Sequence, residues 1–155
     1  MKLSPLDLCR YFVTESTYSA NPEFDPEKAI EVAIDQLSVE TSITKIDVDV
    51  PGRVGWSVEL NLSYQLSPKQ NYPYNYSLHV VGLFSSPAEV PDGLDDERLV
   101  RVNGCSMLYG IAREIVRGQT AAGPWGEVLI PTVSFFESKQ DEKGDEETSD
   151  GPEEV

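Results

Sequence analysis

The chain is short of histidine, cysteine, basic charge and long apolar runs, and each shortage excludes something. Its 155 residues include one histidine and two cysteines, Cys9 and Cys105, set far apart. So few ligands at that spacing make no zinc site, and two thiols make no disulfide framework. Twelve Lys and Arg stand against twenty-seven Asp and Glu, for a net charge of −15. Nucleic-acid phosphates and anionic membrane surfaces would be repelled. No apolar run approaches the ~20 residues of a membrane span, and Met1-Lys2-Leu3-Ser4-Pro5 carries no apolar signal core. These absences point to a cytoplasmic protein with reduced thiols, no metal and no cofactor.

Catalytic patterns are equally scarce. His79 sits in mid-strand with no signature of an orienting partner or a nucleophile. Gly104-Cys105-Ser106-Met107-Leu108 begins like a nucleophile elbow, but Leu108 stands where the elbow needs glycine. Glycine-rich phosphate loops are absent, and the carboxylates are scattered. The expectation is a protein that binds and does not catalyse.

What is present is pattern. Hydrophobic residues make up 39% of the chain, enough for one domain of this length. Leu6, Leu8, Tyr11, Val13 and Tyr18 predict a strand whose broken alternation implies a bulge near Arg10. Trp56, Val58, Leu60, Leu62 and Tyr64 alternate with polar residues, as do Tyr74, Tyr76, Leu78, Val80, Gly82 and Phe84. Both read as half-buried antiparallel strands, joined by a hairpin loop at 67–73. Residues 27–40 fit two periods. Ala29, Ile30, Ala33, Ile34 and Leu37 make a helical stripe, whereas Ile30, Val32 and Ile34 alternate toward Ile43 and Ile46; a long, bent strand is preferred. Further on, Asp95-Asp96-Glu97 suit a helix N-terminus, Asn103 can cap the main helix and Gly118 can end it. Strands followed by helix predict an α+β domain over 1–137, a four-stranded antiparallel sheet with one long C-terminal helix packed on it. Residues 138–155, with eight acids and two lysines, predict an acidic disordered tail.

That helix, roughly 103–117, is apolar on two faces. Leu108, Ile111 and Ile115 form one stripe, and Cys105, Tyr109, Ala112 and Val116 form another. A sheet covers one stripe, so the other implies self-association, with these seven residues as interface candidates. Aromatic residues are the second surplus. Trp56, Tyr64, Tyr74 and Tyr76 suit adaptable recognition as well as an ordinary core.

Three runs then fall in a telling order after four strands: Val81-Gly82-Leu83-Phe84-Ser85, Leu108-Tyr109-Gly110-Ile111-Ala112-Arg113-Glu114, and Leu129-Ile130-Pro131-Thr132-Val133-Ser134-Phe135. Together with Arg117-Gly118 they resemble the SecB-type protein-export chaperones. The first is similar to the glycine-phenylalanine end of the family's fourth strand, and the second to its leucine, aromatic, proline, aromatic, alanine, arginine, glutamate helix segment. The third is similar to its leucine-x-proline-x-x-phenylalanine run. The resemblance spans residues 6–136.

It implies a homotetramer, a dimer of dimers built through the helix. It also implies an ATP-independent holdase that keeps unfolded polypeptides or preproteins translocation-competent in apolar grooves and delivers them to the Sec translocase ATPase. By position, Tyr74, Tyr76, Leu78 and Val80 would join Trp56 and Tyr64 in client binding, and 27–40 would be strand. Three departures follow. Gly110 replaces the helix proline. The chain turns acidic where the family's second helix would follow Phe135. Of three acidic positions that dock the translocase, only Glu15 is acidic here; Ser19 and Ser77 fill the others. Holding is therefore better supported than export, and a SecB-like adaptor dedicated to one partner, such as an antitoxin, is the alternative.

Overall fold

The computed structural model describes residues 4–89 and 95–136. Four strands form one antiparallel sheet: β1 (Asp7–Ala20), β2 (Leu37–Ile46), β3 (Arg53–Tyr64) and β4 (Tyr74–Pro87), in the order β1-β4-β3-β2. A short helix, α1 (Asp96–Leu99), runs through residues 100–104 into α2 (Cys105–Ala121). This is the α+β arrangement that the sequence pattern predicts. The acidic tail expected at 138–155 lies outside the described residues.

Alternation assigns the two sheet faces. Trp56, Val58, Leu60, Leu62 and Tyr64 of β3 are buried, as are Tyr74, Tyr76, Leu78, Val80 and Phe84 of β4. They form one core with Cys105, Leu108, Ala112 and Val116 of α2. The intervening Ser57, Glu59, Asn61, Ser77 and His79 point to the opposite face, which no described element covers. Gly82 lets the helix approach: a Cβ there would lie 2.7 Å from a methyl carbon of Leu108. Arg53 ties three strands together, donating from Nε to Ser85 Oγ at 2.7 Å and from its guanidinium to Asp7 at 2.5 Å.

β1 pairs with β4 in three stretches, with register shifts between Leu8 and Arg10 and between Val13 and Glu15. The first is the bulge expected near Arg10. Cys9 and Thr14 are the extra residues.

Three expectations need correction. Residues 27–33 form neither helix nor strand; a single 3₁₀ turn spans Ile34–Gln36, and β2 begins only at Leu37. The register explains this. Leu37 pairs with Tyr64, the last residue of β3. The preceding residues therefore face the 65–71 loop and reach it by isolated hydrogen bonds, Gln65 N to Gln36 O at 3.4 Å and Glu31 N to Asn71 O at 2.9 Å, without a ladder. Asn103 does not cap the main helix. The helix passes through it by a widened π-type turn, in which Cys105 N–H reaches back to Val100 O, and one extra residue is absorbed without a break. The start lies at Asp95, whose carboxylate accepts from Glu97 N at 3.2 Å. Gly118 does not end the helix either. The last turn is held to Ala121 because Thr120 Oγ1 donates to Val116 O at 2.8 Å and Tyr74 OH donates to Thr120 O at 3.2 Å.

The two thiols differ sharply. Cys105 is buried, and desolvation raises its pKa above the usual cysteine value, whereas Cys9 is exposed. Since only the thiolate reacts, a thiol reagent is expected to modify one cysteine per chain in the native protein. The second should react only on unfolding. Rapid modification of both in the folded state would overturn this reading of the helix packing.

Candidate functional site

The flanks of α2 divide its side chains between the chain's own core and the outside. Of the seven interface candidates, Cys105, Leu108, Tyr109, Ala112 and Val116 are buried within the chain. Ile111 and Ile115 are only half-buried. With Met107, Gly110 and Glu114 they line an open groove of about 560 Å³ whose other wall is Leu8 and Tyr11 of β1. At its far end Gln119 Nε2 donates to Ser16 Oγ at 2.6 Å, holding the helix to the strand. Met107, Ile111 and Ile115 stand four residues apart, so this stripe could have been read from spacing alone. The contribution of Leu8 and Tyr11 could not, because it depends on which strand lies beside the helix.

β1 is an edge strand, so its outer main-chain groups meet no strand partner among the described residues. Tyr11 is 47% exposed, and Phe12, Val13 and Tyr18 are also exposed. Sheet edges are templates for pairing with another chain. An apolar groove and an unpaired edge therefore lie side by side.

The opposite flank of α2 carries Tyr109 and Arg113, on the side where the Cys105 thiol meets Thr41 of β2. Here residues 128–136 run as an extended strap. Tyr109 OH donates to Pro131 O at 2.5 Å, Arg113 Nε donates to Ile130 O at 2.9 Å, and Thr120 Oγ1 accepts from Val128 N at 3.1 Å. Val128 and Ile130 are buried, and Val133 and Phe135 pack half-buried against the core. The Phe135 ring meets Tyr109 edge-on at 5.9 Å.

The six client-binding candidates are Trp56, Tyr64, Tyr74, Tyr76, Leu78 and Val80, and all are 0–4% exposed, in the core between sheet and helix. Each has a structural task there. Trp56 Nε1 donates to Ser86 Oγ at 3.0 Å, and Tyr64 OH accepts from Gln70 Nε2 and Ala33 N. Tyr74 OH joins the helix end to the next loop by accepting from Trp125 N at 3.0 Å. Tyr76 stacks against Tyr64; burial raises its hydroxyl pKa well above the usual tyrosine value. No described group bonds to that hydroxyl. As the chain is folded, none of the six reaches the surface.

Glu15 lies on the uncovered sheet face, exposed and paired in register with His79. His79 is not isolated, as its sequence context suggests. Its Nδ1 lies 2.5 Å from Thr14 Oγ1, and its Nε2 lies 3.3 Å from Glu59 Oε2. This row of hydroxyl, imidazole and carboxylate spans three strands. Among the described residues no wall stands over it, and its hydrogen bonds hold Thr14 at the second bulge. No helix among the described residues is long and apolar enough to cross a membrane. No group of three or more His, Cys, Asp or Glu among them could hold a metal ion.

No known family profile and no curated protein matches the chain. Solved structures do. A protein of unknown function from Streptococcus agalactiae superposes with a TM-score of 0.56 at 14% identity, over 82% of this chain and 97% of that one. A SecB-like chaperone from Mycobacterium tuberculosis, solved with a ChAD peptide from the HigA1 antitoxin, is similar at a TM-score of 0.48 and 15% identity. That match covers 83% of this chain and 91% of the other. The chain thus shares the fold of the streptococcal protein.

Proposed function

We propose that this chain is an ATP-independent chaperone of the SecB type that binds non-native polypeptides and acts as a homo-oligomer. The observation that carries this reading is the apolar surface around β1 that no described residue covers, where an edge strand with exposed aromatics borders the Met107/Ile111/Ile115 groove. Single apolar residues are common on surfaces, but a contiguous patch marks an interaction site. The resemblance of residues 6–136 to the SecB-type chaperones supports the same reading. In it, the groove and the β1 edge are covered by a neighbouring subunit, and the assembled particle holds extended client segments by apolar burial. The excess of acidic residues favours clients with basic and aromatic segments. Glu15, on the free sheet face, is the candidate contact for the translocase ATPase, and delivery to export is the most specific part of the proposal.

The test is aggregation of a chemically unfolded protein diluted into buffer. A stoichiometric excess of this chain, without nucleotide, is expected to suppress light scattering. Unchanged scattering would remove the chaperone reading. Pull-down from cell extract separates a general holdase from a dedicated adaptor, since recovery of one dominant partner would mark the adaptor.

A further inference from the structure

Resting on the chaperone reading, we propose that the seat of residues 128–136 is an exchangeable binding site for an extended apolar peptide. The strap is its resident competitor within the chain. Three features of the strap carry this. It forms neither helix nor strand, and its side chains alternate in two phases. Val128 and Ile130 are buried with Leu129 69% exposed, and after a step at Pro131, Val133 and Phe135 are half-buried with Thr132 and Ser134 exposed. Its main chain is gripped by side chains, namely Tyr109 OH on Pro131 O, Arg113 Nε on Ile130 O and Thr120 Oγ1 on Val128 N. Among the described residues, no main-chain group of 128–136 bonds to another main-chain group, so neither a ladder nor a helix secures it.

These features are those of a bound ligand. Donors on α2 that address carbonyl oxygens read no side-chain identity, so an extended chain with apolar residues at these inward positions satisfies them. The inward positions supply anchors of valine, isoleucine and phenylalanine type, the composition a non-native polypeptide exposes. The N-terminal end of the strap is tied down by the Arg117–Glu127 ion pair at 2.9 Å. At the other end Phe135 is half-buried and Phe136 is exposed, so the strap can peel from that end while staying tethered. A tethered competitor lowers the apparent affinity of an incoming peptide by the fraction of time the seat is vacant.

The experiment uses the full chain and a fluorescent synthetic peptide with the sequence of residues 127–136, read by anisotropy. Ile130→Ser, which loosens the strap at its buried anchor, is expected to bind the peptide at least about tenfold more tightly than wild type. Leu129→Ser, on the outward side, should bind as wild type does. Equal affinity for Ile130→Ser and wild type, or equal tightening by Leu129→Ser, would overturn the proposal. Should Ile130→Ser lose its fold by circular dichroism, Phe135→Ser decides on the same criterion, with several-fold tightening expected. Aggregation suppression by wild type reports separately on function. Suppression without tightening removes the strap proposal alone. Tightening without suppression leaves a peptide site and removes the chaperone reading.

Discussion

Leu108→Ala is expected to lower the stability of the folded chain by about 3 kcal/mol, within the range of roughly 2–5 for a buried leucine. Leu108 is fully buried at the contact between α2 and β4. The cavity has little scope to collapse, because the helix is fixed at its far end by the Tyr74–Thr120 and Gln119–Ser16 hydrogen bonds. Urea unfolding checks this: the midpoint should fall with an unchanged slope. A second variant locates the cause. A Cβ on Gly82 would press on Leu108 and equally on the Phe84 ring in wild type, and cutting Leu108 back relieves the first of these contacts. Gly82→Ala should therefore destabilise the wild type and cost less in Leu108→Ala, the remainder being its contact with Phe84. Simple additivity in this cycle would show that the two positions do not share a contact.

The other large effect falls on assembly. Ile111→Glu with Ile115→Glu is expected to raise the self-dissociation constant by at least about a thousandfold. Full burial of one isoleucine contributes about 1.5–3 kcal/mol, a two-fold interface uses each position twice, and every 1.4 kcal/mol is about a factor of ten. The carboxylates would add a desolvation penalty in the same direction. Sedimentation equilibrium over a concentration series reads the outcome, with thermal melting to confirm that the monomer stays folded. A wild type that is monomeric throughout, or a double variant that sediments as wild type does, would sink the oligomer proposal. Tyr109 is unsuitable for this purpose. It is buried and bonded to Pro131 O, so a charge there would damage the chain's own fold.

The two central strands and the helix are legible in the sequence because their alternation reports burial directly. Trp56 to Tyr64 and Tyr74 to Phe84 each bury alternate residues against α2. Residues 27–36 are not legible, since their alternation is genuine but meets a loop and no strand: Ile30, Val32 and Ile34 are exposed beside a strand that has already ended. The continuous helix start was hidden for a local reason, because Asn103-Gly104 looks like a cap and a π-type turn leaves no sequence mark. For the candidate site, periodicity found a two-faced helix but could not divide its faces. Leu108 and Ile111 belong to one stripe on a helical wheel, yet one is core and the other is groove. The strap is visible only as an apolar run, because its alternation changes phase at Ile130-Pro131. That Tyr109, Arg113 and Thr120 would grip its main chain follows from the tertiary arrangement.

The two bulges of β1 bear on a hazard that any adhesive edge strand carries. A regular, aromatic-rich edge of fourteen residues would invite endless strand addition and fibril growth. Here the hydrogen-bonding rhythm is interrupted at Cys9 and Thr14, and the longest unbroken stretch is the six residues 15–20. Thr14 is pinned out of register by its hydrogen bonds to the ring and the carbonyl of His79. An incoming strand would match one short stretch and then fall out of phase, which disfavours continued addition. The chain's one histidine thus holds in place a bulge that makes this edge a poor template for fibril growth.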